Sequence, residues 1–318
     1  MPLSLEQYAT WLDGRKDLLW PAAPEVTAPK AKPHLKQMPE IKVVSFSVYW
    51  TLLAITTGSF QFVHPQKLLM ETALEKTIQE FKMWQSMSRK PGKPSEYMLR
   101  IYEQLLSEIE MARATAGERY PEIGAHEIWE RVVKRLVKNE YQYDAPFLGS
   151  VEQLSEKISF FFHSSLQVIG AQPHAVDALK ALMAKGISVG LLADGQCFTT
   201  TQLVRALNKQ SRVSRLSEVV DPELVALSYE VGAKKPSERL YRAFVARLAA
   251  RNIAPSAVLH IGPHLPNDVV PARRLGFHTG LYAGDKSSVV ANNQQLNDPT
   301  LRPDVMITDL RQLVDMVG

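Results

Sequence analysis

Between Pro65 and Leu166 the apolar residues recur every three or four positions, the spacing of amphipathic helices. Four such runs follow one another, and the last opens with Ser150 and Gln153, spaced as a helix-capping box. The defining positions are Leu69, Ala73, Leu74, Thr77, Ile78, Phe81 and Trp84; Met98, Ile101, Leu105 and Ile109; Ile128, Trp129, Val132, Val133, Leu136 and Val137; and Leu154, Ile158 and Phe161. Four amphipathic helices in succession predict a small helical bundle.

On either side of this block the hydrophobic period changes. Residues 41–46 are a β-branched apolar run, which is typical of a buried parallel strand. After residue 166, short apolar runs alternate with amphipathic helices. The predicted strands lie at 187–192, 224–227, 257–261, 278–282 and 304–307. This alternation predicts parallel strands joined by right-handed crossovers, an α/β core of doubly wound, Rossmann-like type.

The same patterns predict a division into three parts. Residues 1–39 combine a short amphipathic helix with a segment rich in Pro, Ala and Lys, and we interpret them as an N-terminal arm or linker. Residues 40–58 and 166–318 form the α/β core, and residues 59–165 form a helical domain inserted after the first strand.

Composition narrows the functional classes without selecting one. The 318 residues are 45% hydrophobic, with a net charge of +4 and a pI of about 9.0. So small an excess of positive charge is a weak argument for nucleic acid, and we expect none as a partner. No stretch is apolar enough to span a bilayer, and Cys197 is the one cysteine. These features predict a cytoplasmic protein without disulfides that does not bind a membrane.

The first predicted strand leads into a recognisable motif. The segment Ile41–Leu53 resembles the opening motif of the haloacid dehalogenase-like (HAD) hydrolases, an apolar strand followed by Asp-x-Asp-Gly-Thr-Leu. Thr51 and Leu52 fit that pattern. Ser47 stands at the nucleophile position, Tyr49 at the second acid and Trp50 at the glycine.

Three further segments are similar to the remaining HAD motifs, in the family's order. In Gly190–Gln196, Ala193 replaces the motif hydroxyl and is followed by Asp194 and Gly195. In Ser228–Pro236, Lys235 matches the motif lysine. In Gly262–Asp268, Pro263 replaces the first acid, His264 follows it, and Asn267 and Asp268 remain.

The resemblance implies a HAD core with a helical cap, and it locates a site. The catalytic positions are Ser47, Tyr49, Lys235 and Asp268; the remaining cleft positions are Trp50, Thr51, Ala193, Asp194, Gly195, Pro263, His264 and Asn267. The family's phosphoryl transfer uses an aspartate nucleophile, a second carboxylate and Mg²⁺. With Asp268 as the one acid left, we expect no metal site, weak or absent Mg²⁺ binding, and no other cofactor.

Two functional interpretations follow. The first is a non-catalytic member that binds an unknown small molecule or protein, in an oligomeric state that the sequence does not define. The alternative is a metal-independent hydrolase, phosphatase-like or dehalogenase-like, in which Ser47, Lys235, Asp268 and His264 act. We also expect Lys235 to form an ion pair with Asp268, with Glu230 as the less favoured partner.

Overall fold

The computed structural model describes residues 1–56, 60–87, 92–288 and 291–318. The backbone forms two compact units, one made of residues 1–23, 60–168 and 196–201, the other of residues 24–59, 169–195 and 202–318. Residues 1–39, predicted as one arm, are thus divided between the units at residue 23. The predicted boundary between residues 58 and 59 lies outside the described residues.

The first unit is helical. Its helices are α1 (Leu5–Asp13), α2 (Lys67–Glu80), α3 (Pro94–Ala114), α4 (Ala125–Val137), α5 (Ala145–Leu148) and α6 (Val151–Leu166). The four amphipathic helices predicted from the sequence are present as α2, α3, α4 and α6, and the capping box at Ser150 and Gln153 forms as expected. The core is rich in aromatic residues, because α6 buries Phe160, Phe161 and Phe162 among α1, α2 and α4.

The second unit is an α/β structure. Its strands are β1 (Val43–Phe46), β2 (Leu53–Ile55), β3 (Ile169–Ala171), β4 (Ser188–Ala193), β5 (Val225–Leu227), β6 (Val258–Gly262), β7 (His278–Tyr282) and β8 (Val305–Ile307). Its helices are α7 (Ala175–Ala184), α9 (Ser228–Val231), α10 (Glu238–Ala250), α11 (Val270–Arg274), α12 (Asn293–Asn297) and α13 (Gln312–Met316). Helix α8 (Thr199–Gln210) begins in the first unit and continues in the second.

Six strands form a parallel sheet in the order β5-β4-β1-β6-β7-β8, while β2 and β3 form a separate antiparallel pair. The predicted Rossmann-like α/β class is therefore confirmed. Strand β1 is completely buried and lies between β4 and β6, with Phe46 in register with Leu191 and Ile261. The carboxyl ends of these three strands consequently meet at the centre of one sheet edge, where ligands bind in open α/β sheets.

The segment before β1 pairs with the C-terminal part of the α/β unit at two residues. His34 pairs with Met306 of β8 in an antiparallel bridge, and Met38 pairs with Val317. Because β8 is an edge strand, this segment covers backbone groups that the sheet itself leaves unpaired. Within the described part of the chain, no helix is both long and apolar enough to cross a membrane.

Candidate functional site

The sheet brings three of the four motif segments to one place. Ser47 directly follows β1, Ala193 ends β4, and Gly262 ends β6. The third segment supplies Lys235, whose backbone N–H donates to Asp194 Oδ1 over 2.7 Å just beyond β4. All of these residues belong to the α/β unit.

A buried network joins Ser47, Lys235 and Asp268. Lys235 Nζ lies 2.5 Å from Asp268 Oδ1 and 2.6 Å from Ser47 Oγ, and Ser47 Oγ donates to the same Asp268 oxygen over 2.7 Å. The two charged side chains are each only 3% exposed, so solvent screens the pair little. The predicted Lys235–Asp268 ion pair is confirmed, and Glu230 instead pairs with Arg247.

The position of Asp268 is fixed by backbone geometry. It lies in a π-helical turn, Leu265–Val269, and its Oδ2 accepts the backbone N–H of His264 over 2.9 Å. A Cβ on Gly262 would come within 2.2 Å of Asp268 Cγ. Glycine is therefore required at residue 262 because the carboxylate packs against its backbone. Burial alone would raise the pKa of Asp268, but the charge of Lys235 and the contacts with His260 outweigh it, so that pKa lies well below its usual range.

His260, on β6, completes the network. Its Nδ1 lies 2.9 Å from Ser45 Oγ, and its Nε2 lies 3.3 Å from Lys235 Nζ and 3.4 Å from Asp268 Oδ1. Burial, and then the charge of Lys235, lowers the pKa of His260 to about 4, so the ring is neutral at pH 7. The alternative interpretation of the sequence included His264 as a residue that acts with Ser47; in the structure, His264 contacts Asp268 through its backbone N–H.

The segment that resembles the first HAD motif forms a backbone turn, and its side chains differ from the HAD pattern. Trp50 has φ 66°, the left-handed conformation that glycine adopts without strain, and its N–H donates to Leu53 O over 2.6 Å. The indole is only 4% exposed. Tyr49 donates its hydroxyl to Gln202 Oε1 over 2.8 Å, and Thr51 is buried in the turn. Trp50 therefore adopts a backbone conformation that glycine usually occupies.

The second and fourth motifs contribute mainly backbone and packing. Asp194 keeps some exposed surface, yet burial of its carboxyl raises the pKa to about 6, with the charge of Lys235 opposing that change. Gly195 N–H donates to Ser228 Oγ over 2.9 Å, which ties the second motif to the third. Ala193 and Pro263 are buried, and Asn267 O accepts the hydroxyl of Tyr241.

The carboxylate oxygens near Ser47 are already engaged. Asp268 Oδ1 meets Lys235 and Ser47, and Oδ2 meets His264 N–H. Across the described residues, no group of three or more His, Cys, Asp or Glu side chains is arranged to hold a metal ion. What the site offers is one neutralised ion pair, the neutral Ser47 hydroxyl and the partly exposed Asp194 carboxyl.

Comparison with known proteins finds a family model that matches part of the chain and a solved structure with the same fold. Residues 232–313, which include Lys235 and Asp268, match the family model described as HAD-hydrolase-like. A 2-haloacid dehalogenase from Pseudomonas syringae pv. Tomato DC3000 aligns at 20% identity and a TM-score of 0.52, over 87% of this chain and 97% of that one. Its fold is therefore shared by this chain.

Two other solved structures align at lower scores. The L-2-haloacid dehalogenase from Xanthobacter autotrophicus with chloropropionic acid covalently bound is 17% identical, with a TM-score of 0.42 over 86% of this chain and 97% of that one. A HAD phosphatase from Thermococcus onnurineus is 18% identical, with a TM-score of 0.43 over 86% and 97%. No curated protein matches the chain.

Proposed function

We propose that this HAD-like protein does not catalyse phosphoryl transfer or dehalogenation at the site around Ser47, and that it acts by binding a small molecule or a protein partner. The helical unit would correspond to the cap of the family. The proposal rests on two contacts of Lys235 Nζ: a hydrogen bond to Ser47 Oγ at 2.6 Å and an ion pair with Asp268 Oδ1 at 2.5 Å.

The N–H donors of the Lys235 ammonium group are directed at protein atoms and not at a substrate. Its ammonium group has three N–H donors, and three protein atoms lie within hydrogen-bond distance of Nζ: Ser47 Oγ, Asp268 Oδ1 and His260 Nε2. A phosphate or carboxylate entering the site would have to displace Asp268 from a buried ion pair. Breaking such a pair is unfavourable by about 3–5 kcal/mol, because one charge is left buried without a partner.

Ser47 is held as a structural hydroxyl. Its proton is directed at Asp268 Oδ1, and its oxygen accepts from Lys235. Asp268 is a poor general base because its pKa is held far below neutrality. A serine nucleophile needs a base that can take its proton near the working pH, and this carboxylate does not meet that requirement.

One observation favours the alternative of a metal-independent hydrolase. The 2.6 Å contact between Ser47 Oγ and Lys235 Nζ is the distance that a serine–lysine pair needs for proton transfer. In that mechanism the neutral amine accepts the serine proton, so the base would be Lys235 rather than the His264 imidazole.

The test compares matched variants on three substrates. The purified chain is assayed with 4-nitrophenyl phosphate, 2-chloropropionate and 4-nitrophenyl acetate, with and without Mg²⁺, from pH 6 to pH 10. The variants are Ser47→Ala, Lys235→Met and the exposed neighbour Lys234→Ala as control. We expect the wild type and Ser47→Ala to be indistinguishable.

Turnover that persists in Lys234→Ala and disappears in both Ser47→Ala and Lys235→Met would reject the non-catalytic proposal in favour of the alternative. Ser47→Ala is the decisive variant because it removes only a hydroxyl from the network. Far-ultraviolet circular dichroism of each variant separates loss of activity from loss of fold.

A further inference from the structure

The Asp194 carboxylate lies at the α/β site and has an oxygen that the protein itself does not use. Asp194 directly follows β4, whose neighbours in the sheet are β1 and β5. Its Oδ1 accepts the backbone N–H of Lys235 over 2.7 Å, while Oδ2 has no hydrogen-bond partner among the described residues. Asp194 is partly exposed and Oδ2 is not one of the fully buried unpaired atoms, so a bound molecule can reach it.

The charged groups of this site leave an excess of negative charge. Lys235 and Asp268 neutralise each other in a buried ion pair, and the neutral imidazole of His260 adds no charge. Asp194 therefore contributes a carboxylate that forms no ion pair in the network. The other lysine that acts on it, Lys234, is exposed, so solvent and salt screen its charge. A ligand beside Asp194 consequently meets a site that attracts cations and repels phosphates and carboxylates.

The hydrogen bonding of the carboxylate selects among cations. A divalent metal ion needs several oxygen ligands, and within the described residues no group of three or more His, Cys, Asp or Glu side chains provides them. A guanidinium binds best to both oxygens of one carboxylate, and Oδ1 of Asp194 already accepts a backbone N–H. A primary ammonium group is a compact charge that can donate to Oδ2 alone. An alkylammonium group therefore fits this carboxylate better than a metal ion or a guanidinium.

The surroundings of Asp194 give such a ligand a reason to bind. Burial raises the pKa of Asp194 to about 6, although the charges of Lys235 and Lys234 oppose that change. The ionised carboxylate is thus stabilised less in the folded chain than in water. An ammonium group at Oδ2 would supply the missing stabilisation through a charge-assisted hydrogen bond.

We propose that the α/β site, at the end of β4, binds the primary ammonium group of a small alkylamine, which donates a hydrogen bond to Asp194 Oδ2. The inference rests on the proposed function, since it names the ligand class of a site that binds without catalysing. The ligand carries the opposite charge to the substrates of phosphoryl transfer, and this difference follows from the carboxylate that Asp194 adds beside the neutralised Lys235–Asp268 pair.

The probe is n-butylammonium chloride, titrated into the full chain by isothermal titration calorimetry at constant ionic strength. Asp194→Asn keeps the size of the side chain and an oxygen that can accept the Lys235 N–H, while it removes the charge. Asp315→Asn is the matched control, because Asp315 is exposed on α13 of the same unit. Butyrate tests the sign of the charge, and n-butylguanidinium tests the preference for an ammonium group.

At pH 8 we expect saturable binding of n-butylammonium to wild type and to Asp315→Asn. The affinity should be lower by about tenfold to 150-fold in Asp194→Asn, the range of a hydrogen bond to a charged group. n-Butylguanidinium should bind more weakly than n-butylammonium, and butyrate should not bind.

The pH dependence gives a second readout. Between pH 8 and pH 5 the affinity of wild type for n-butylammonium should fall about tenfold, because the Asp194 carboxyl becomes protonated while the amine stays charged. Over this range Asp268 remains ionised, His260 remains neutral, and the two lysines remain charged.

Absence of saturable binding, equal affinity in wild type and Asp194→Asn, an affinity that does not change between pH 8 and pH 5, or butyrate binding as tightly as n-butylammonium would each overturn the inference. The proposed function fails by a different result, namely turnover that requires Ser47 and Lys235. Far-ultraviolet circular dichroism of Asp194→Asn separates loss of binding from loss of fold.

Discussion

His163 in α6 is a polar residue in an apolar site, and its replacement should make the helical unit more stable. The imidazole is 1% exposed and packs against Phe60 at 4.5 Å and Phe198 at 5.3 Å between ring centroids. Neither ring nitrogen has a hydrogen-bond partner among the described residues. Burial lowers the pKa of His163 to about 3.

The magnitude follows from the difference between the folded and unfolded pKa values. Unfolded histidine titrates near pH 6.5, so below that pH the unfolded chain binds a proton that the folded chain does not. The free energy of unfolding therefore falls as the pH falls from 6.5 toward 3. For His163 alone the loss between pH 7 and pH 5 is about 2 kcal/mol.

Two variants separate the effects of titration and polarity. His163→Gln removes the titration but keeps a polar group, so its free energy of unfolding should lose about 2 kcal/mol less than wild type between pH 7 and pH 5. His163→Leu also removes the unpaired N–H, and should add about 1–2 kcal/mol at pH 7. His34→Gln, at an exposed histidine, is the control and should follow the wild type.

The assay is urea unfolding followed by tryptophan fluorescence. Four of the five tryptophans, Trp11, Trp20, Trp84 and Trp129, lie in the helical unit, so the signal reports mainly on that unit. If wild type and His163→Gln lose stability in parallel between pH 7 and pH 5, then His163 is not a buried neutral imidazole and the reasoning fails.

Further predictions concern the α/β site and one helix end. Lys235→Met should lower the free energy of unfolding by about 3–5 kcal/mol, because it leaves Asp268 buried without its cation, while Lys234→Ala should change it by less than about 0.5 kcal/mol; equal effects in urea unfolding would refute the buried pair. Asp194→Asn should raise stability by about 3 kcal/mol at pH 7.5 and by roughly half as much at pH 5, since a carboxyl whose pKa is raised to about 6 in the folded chain disfavours folding wherever the unfolded carboxyl, with a pKa of about 3.9, is ionised; a gain that does not depend on pH would argue against this assignment. Glu140→Gly should stabilise by about 0.5–1 kcal/mol, because Glu140 adopts φ 67° beyond the end of α4; a thermal unfolding midpoint at or below wild type would contradict it. Calorimetric titration with Mg²⁺ should give no saturable heat, and a heat that vanishes in Asp268→Asn would show that the carboxylate can leave its ion pair.

The parts of the site that the sequence predicted are those that the resemblance to the HAD motifs implied. That resemblance placed Ser47, Lys235 and Asp268 in one site, and a cleft lysine without its usual carboxylates needs the remaining acid as a partner, so the ion pair could be expected before any distance was known. No sequence motif pointed to His260, because its contribution depends on register: it lies directly across from Ser45 on the adjacent strand. Register between distant strands is a tertiary property that hydrophobic periodicity does not encode.

The division at the N-terminus shows a similar limit. The sequence suggests a single arm over residues 1–39, yet α1 belongs to the helical unit while His34 and Met38 bridge to other residues of the α/β unit. An amphipathic pattern predicts that one face of a helix is buried, but it does not predict which other element covers that face.

The pairing of His34 with Met306 also bears on how the chain can be shortened. Strand β8 is the last strand of the sheet, and the bridge occupies backbone groups on its outer side. In a fragment beginning at residue 40, the backbone N–H and C=O groups on the outer side of β8 would be unpaired and could pair with a strand of another molecule. We expect such a fragment to self-associate in sedimentation experiments. The segment that contains His34 would then protect the full chain from association through the edge of β8.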